Sequence, residues 1–386
     1  MKLTNLKIYY SLLSLNNLWF ITSSWLFFWL KFMTLGEVGI IDSLAFLIGI
    51  LFEFPSGLIS DRFGRKFTLI LSNIFQFVGS LVIALAESKF QIGIGFAVFQ
   101  LGVALFSGTI ESFGYESSVI EKESYEKVLV NSNNYSNFSF LFSLVIGGFL
   151  YNVNNNLPNI LLTLNYLISF VLCFFIISQK QDFQETEYFN FKNLPKKFSF
   201  KLISYFLFLL SIAFCFDYGF LKLIILKEFT TPESNYWYIG AGVVIGTFLS
   251  NFFLQKNWSF HTNLKIIFFT LISLLLPSFY TSIHLLLLFL IFSFVVIFTN
   301  QLFLKYVNER LEDRERAGAI SFFNFLYKTP YVFFALILGY SFDQHPAGLI
   351  LGYIGLFSLI LYFFVKISFK LSYNRLFERG RSSVAE

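Results

Sequence analysis

Gly57-Leu58-Ile59-Ser60-Asp61-Arg62-Phe63-Gly64-Arg65-Lys66 joins two long apolar runs, its first four residues closing the run 37–60 and its charged remainder leading to the run 67–86. Runs of that length are membrane-crossing helices, because about 20 residues rising ~1.5 Å each match the ~30 Å hydrocarbon core of a bilayer. An ionised side chain at the centre of such a helix costs ~2.5–3.5 kcal/mol. The charged residues Asp61 to Lys66 are therefore expected in a loop outside the bilayer, where one span ends and the next begins.

Worked outward from this loop, the same pattern repeats to both ends. Twelve apolar runs can be placed, at 8–30, 37–60, 67–86, 90–112, 136–152, 157–177, 201–225, 236–254, 264–280, 283–306, 317–341 and 348–370. Hydrophobic residues make up 56% of the chain and charged residues 13%, against roughly 45–50% and about 25% in soluble domains. A water-soluble core cannot absorb that excess, which excludes a soluble enzyme on a single anchor, a disordered chain and a disulfide scaffold. The 28 Lys and Arg are scattered rather than gathered into one patch, so nucleic acid is not an expected partner. Cys173 and Cys215 lie inside apolar runs and say little about redox compartment. The first run is too long for a signal-peptide core, carries Asn16 and Asn17, and lacks a small-residue cleavage site. It reads as a retained first span.

Basic residues set the orientation. With the N-terminus in the cytoplasm, 23 of the 28 fall on the inner side and only Lys31, Lys89 and Lys227 on the outer side. The longest polar stretch, Ser178 to Ser199, divides the spans six and six. The expected organisation is an all-α membrane protein of 12 transmembrane helices in two six-helix bundles: residues 1–177, a cytoplasmic linker 178–200, and 201–386 with a short cytoplasmic tail. Residues 113–134, rich in Glu, Lys and Ser, read as a solvated connector. Duplicated six-span halves suit alternating access around a site at the bilayer midplane.

Within the decapeptide, Gly57 and Gly64 allow close backbone approach, and Asp61 at a helix end can accept hydrogen bonds from a neighbouring helix N-terminus. Arg62 and Arg65, followed by Lys66, need carboxylates; Glu111 and Glu116, at the inner end of the fourth span, are candidates for charge-assisted bonds. The stretch resembles the loop signature of the major facilitator superfamily, G-x-L-x-D-R-x-G-R-[RK]. The resemblance implies an inner gate latch for Asp61, Arg62 and Arg65. Phe52-Glu53-Phe54-Pro55-Ser56-Gly57 is similar to the E-x-P-[TS]-G run of a bacterial subgroup, and Ser107-Gly108-Thr109-Ile110-Glu111 to Tyr115-Glu116-Ser117 resembles that subgroup's fourth-span pattern. The chain also departs from the family. Val98 stands where proton-coupled members carry an arginine, Gly147-Gly148 lacks the antiporter proline, and Gln255 to Asn263 retains only Lys256 of a second gate loop.

Polar residues inside spans are site candidates. Glu53, beside Pro55, reads either as a protonatable coupling group or as a brace for the proline kink. Asp42, nearer the outer end, is expected to reach interfacial water. Asp217 in span seven is the second coupling candidate, and with Lys328 in span eleven it is expected to share one cavity, because a buried lysine needs a carboxylate. The resemblance places spans one, four, seven and ten around the cavity, so Asn17, Gln100 and Asp217 are expected to line it, joined by Lys328 and Asn324. Gly348 and Gly352 fit small-xxx-small packing.

No nucleotide loop, metal cluster or nucleophile constellation is present in the sequence, so the chain is not expected to be an enzyme and no cofactor or metal is expected. The expected function is secondary active transport of a small amphipathic or charged solute across the inner membrane. Proton-coupled export of a drug-like or antibiotic-like compound is the first reading. Uptake of a nutrient, metabolite or metal-chelating compound is the alternative, and a transport-dead sensor or scaffold is the remote one. The expected partners are the solute, protons and membrane lipid, with the protein a monomer.

Overall fold

The computed structural model describes residues 4–177 and 313–369, with scattered positions between 203 and 307. All regular structure among the described residues is helical. The residues fall into two compact units, one holding the described residues up to 177 together with Val332–Asp343, the other holding the described positions from 203 to 331 and those from Gln344 onward. Asp217 and most of spans seven to ten, with the expectations placed on them, lie outside the described residues.

The first unit contains α1 (Asn5–Asn16), α2 (Trp25–Trp29), α3 (Leu35–Phe63), α4 (Arg65–Ala84), α5 (Lys89–Glu121), α6 (Tyr125–Val153) and α7 (Leu157–Cys173). The segments Leu35–Glu53, Arg65–Ala84, Lys89–Glu121 and Lys127–Val153 are long and apolar enough to cross a membrane. Two helices begin with a capping box. Thr34 and Glu37 exchange side-chain and backbone hydrogen bonds at α3, and Ser88 and Gln91 do so at α5, which satisfies two otherwise orphaned N–H groups at each end. In a bilayer there is no hydrophobic drive between helices, so close packing needs small residues. α4 and α5 meet through glycines. A Cβ on Gly79 would lie 2.6 Å from the Gly95 oxygen, and one on Gly102 would lie 2.7 Å from the Ser72 oxygen.

Three expectations about local structure need correction here. The first span is not one helix over 8–30: α1 stops at Asn16 and α2 resumes only at Trp25. The break follows from side chains that compete for helix carbonyls. The Asn16 amide donates to Leu12 O at 3.1 Å and the Asn17 amide to Leu13 O at 2.8 Å, while the Trp19 indole donates to Asn16 O at 2.7 Å. Asn165 of α7 donates to Leu15 O, and Gly147 of α6 leaves room for the Phe20 carbonyl. Freed backbone groups at membrane depth are tolerated only when protein satisfies them in this way. Residues 113–134 are not a connector. α5 runs on to Glu121 and α6 begins at Tyr125, so the polar residues decorate two helix extensions joined by a short turn. Asp42 does not reach interfacial water, being 2% exposed.

The described C-terminal part consists of α8 (Asp313–Gln344) and α9 (Ala347–Phe369). Within the second unit, Phe214 packs edge-on against Tyr327 and Tyr331, with ring centroids 5.8 and 5.6 Å apart. Pro330 lies inside α8, where the Thr329 hydroxyl donates to Phe325 O at 2.6 Å. Among the described residues, a Cβ on Gly352 would meet nothing within 4 Å, so the tight packing expected there is not seen among them.

Candidate functional site

The charged decapeptide occupies the end of α3, one linking residue, and the start of α4. That residue, Gly64, closes α3 and opens α4 with φ +87° and ψ 158°. Only glycine enters this region without strain. Gly64 is needed for its dihedral angles, and among the described residues a Cβ at either Gly57 or Gly64 would meet nothing within 4 Å. Among the described residues, neither glycine shows the close approach expected of it.

On the α4 side of the turn, the basic residues are tied into the first unit. Arg65 Nε lies 3.1 Å from Glu116 Oε1 of α5, and its Nη1 donates to Ser60 Oγ at 2.6 Å. Lys66 Nζ donates to the carbonyl oxygens of Phe174 and Ile176 at 2.8 and 2.7 Å. These carbonyls lie just past the end of α7, where the helix dipole favours a cation. The same end of the unit holds two further ties. Glu121 Oε1 accepts from Leu6 N at 2.8 Å, and Asn5 exchanges hydrogen bonds with Ile177 at 3.0 and 3.1 Å. A cavity of about 320 Å³ opens between them, lined by Arg65, Lys66, Glu116 and Asn5 and by the aromatic Phe63, Phe67 and Phe113.

Residues on the α3 side are placed differently. Arg62 is exposed, with its guanidinium 5.6 Å from the centre of the Phe63 ring, and it has no carboxylate partner among the described residues. The Asp61 backbone is helical, and its side chain lies outside the described residues. Glu111 was the other expected partner for the arginines. It is exposed on α5 and forms no ion pair among the described residues, so Arg65 goes to Glu116 alone of the two. Near Glu111, the Tyr125 phenol is pushed up to about 12, chiefly by burial, with Tyr9, Glu111 and Tyr115 adding to the shift.

The cavity candidates do not converge among the described residues. Asn17 is half-buried and its amide is used on Leu13 O, closing α1. Gln100 is buried and lies against Gly49 of α3. Glu53 is half-buried in α3, and the Ser56 hydroxyl donates to its backbone oxygen at 2.7 Å. Asn324 and Lys328 are half-buried in α8. Sequence reasoning missed Ser60, Glu121 and Asn5. Ser60 meets Arg65 only five positions on, within the decapeptide itself, whereas Glu121 and Asn5 find partners 115 and 172 positions away, which a single sequence does not signal.

Such a bundle of apolar helices, with a charged one-residue turn pinned at one end, defines a multi-span membrane protein. The family model of the Major Facilitator Superfamily matches residues 9–335, and the chain belongs to that family of transporters. It is 25% identical over 140 residues to the "Uncharacterized MFS-type transporter YxaM" of Bacillus subtilis (strain 168), covering 36% of this chain and 34% of that protein. It is 36% identical over 96 residues to an "Uncharacterized transporter" of Buchnera aphidicola subsp. Schizaphis graminum (strain Sg), covering 25% of this chain and 24% of the other. The matched stretches thus span about a third and a quarter of those relatives. Among solved structures, the nucleoside transporter NupG matches with TM-score 0.73 at 13% identity, over 95% of this chain and 98% of that one. The D-xylose-proton symporter matches with TM-score 0.71 at 14% identity, over 93% and 95%. At such identities the likeness establishes the major facilitator fold and nothing about cargo.

Proposed function

We propose that the chain is a secondary active transporter that moves a small amphipathic or charged solute by alternating access, outward across the inner membrane and in exchange for protons. The motif end is then cytoplasmic, as the basic-residue count favours. One observation carries the gate: the decapeptide is divided in two. Arg65 and Lys66 are bonded to α5 and α7, while Arg62 stands exposed on the other side of Gly64. The first pair is a fixed anchor inside the first bundle, and Asp61 with Arg62 is the movable half, which finds its partners in only one access state. A ligand or gradient can shift the two states only through a difference in interactions, and a contact made in one state alone supplies that difference.

Coupling is assigned to Glu53 or Asp217. A carboxylate in a low-dielectric span loads a proton when water reaches it from one side and loses it when access switches. Nucleosides and D-xylose are named for the structural neighbours; for this chain the amphipathic class is preferred on the aromatic composition, 21% of residues. The test is solute flux in vesicles holding the purified protein, with and without a pH gradient and in both orientations. Gradient-driven export is expected, and slower flux from Asp61→Asn at unchanged expression. Uptake in the same assay would reverse the assigned direction, and wild-type flux from Asp61→Asn would defeat the gate.

A further inference from the structure

At the end of the first unit away from the motif, α3 begins under a carboxylate. Asp343 Oδ1 accepts from Leu35 N at 3.0 Å and its Oδ2 from Gly36 N at 2.8 Å. These N–H groups lie in the first turn of α3, where none has an intrahelical partner and where the helix dipole favours negative charge. One carboxylate therefore covers two orphan donors from 307 and 308 positions away in the chain. Capping of α3 does not require it, because Thr34 and Glu37 already form a capping box at the same terminus.

The rest of the contact is shaped to admit this carboxylate. A Cβ on Gly36 would lie 2.7 Å from Asp343 Oδ2, and one on Gly39 would lie 2.5 Å from Ala335 O. Gly339 likewise leaves room for the Leu35 carbonyl. One turn further in, the Ser43 hydroxyl donates to Val332 O at 2.7 Å, and Ser43 is 1% exposed. Small residues on both helices and two polar ties close a dry seam between the start of α3 and Val332–Asp343. In the sequence reading, α3 is span two and α8 is span eleven, so the seam joins a helix of the first six spans to one of the second six.

We propose that Asp343 is the latch of the outer gate: its carboxylate on the α3 N-terminus holds the outer ends of spans two and eleven together in one access state and releases them in the other. The inference rests on the alternating-access reading. It deepens that reading by naming a closing contact at the end opposite the motif. Charge-assisted bonds suit the task, because they are strong when made and each partner is readily hydrated when they part.

The test uses the full chain, purified and reconstituted, with Cys173 and Cys215 replaced and a single reporter, Ser43→Cys, labelled by a membrane-impermeant maleimide from the outer side. Labelling of this parent should be slow. Asp343→Asn, which removes the charge, and Gly36→Ala, whose methyl displaces the carboxylate, should each label roughly tenfold faster, the change expected when charge-assisted hydrogen bonds are lost. Equal rates in the parent and both variants, or fast labelling of the parent, would overturn the latch whatever the protein transports. If both variants label faster while vesicles show flux of no solute tested, the latch stands and the transport reading fails. Because Asp343 is at a helix end and Gly36 clashes only with a side chain, neither substitution threatens folding.

Discussion

Arg65 and Glu116 stand 51 positions apart in the chain and meet at 3.1 Å, Nε to Oε1, across the start of α4 and the C-terminal part of α5. Both side chains are mostly shielded, at 17% and 29% exposure, so the pair is screened less than a surface salt bridge. It fixes the turn at Gly64 against the body of the unit and leaves the preceding Arg62 outside the anchor.

A double-mutant cycle measures this anchor. Arg65→Ala and Glu116→Ala should each lower stability by about 1–2 kcal/mol, and the pair should lose less than the sum by about 1 kcal/mol. Denaturation of the purified protein in detergent reads the four stabilities. Strict additivity would show that the contact contributes nothing of its own.

The two glycines of the decapeptide should respond oppositely to alanine. Gly64→Ala forces a side chain into φ +87° and should destabilise by about 1–3 kcal/mol. Gly57→Ala lies within α3 with open space around it, so it should be neutral or stabilising by up to about 1 kcal/mol. Thermal unfolding of the two variants beside the parent gives the order.

Helix packing in the first unit depends on the α4–α5 glycine seam. Gly79→Leu has no room, because even a Cβ would crowd the Gly95 oxygen and the Phe99 backbone at 2.6 Å. The helices must separate, and the expected loss is about 1–3 kcal/mol with a fall in folded yield. Gly352→Leu in α9, where nothing lies within 4 Å, should leave yield unchanged in the same expression assay.

Coupling provides a prediction on activity alone. Glu53→Gln or Asp217→Asn should abolish accumulation driven by a pH gradient while leaving exchange of solute across the membrane, since a neutral side chain can no longer carry the proton. Retention of gradient-driven accumulation by both variants would place coupling elsewhere. Lys328→Ala combined with Asp217→Ala should recover folding lost in Lys328→Ala if the two charges share one cavity.

Much of the fold was legible because bilayer thickness leaves few choices. A run of apolar residues long enough to cross must be helical, charges must lie at its ends, and Gly57 to Lys66 therefore had to be the join between two spans. The helix over span two and the expectation of a carboxylate for the arginines at its C-terminal end follow from these local rules. Other features depend on partners that local rules do not reach. The sequence alone could not decide between Glu111 and Glu116 for Arg65, since both are carboxylates near the end of one span, and which is in reach depends on how α5 is rotated and how far along its axis α4 meets it. The break after Asn16 was hidden because apolar content continues through it, and the unwound backbone is tolerated only where Asn165 and Gly147 come from other helices. Asp343 read as one more polar residue at a span end. It meets Leu35 and Gly36 only because tertiary packing brings α8 onto the start of α3, and hydrogen bonds across some 300 residues leave no periodicity or spacing in the chain.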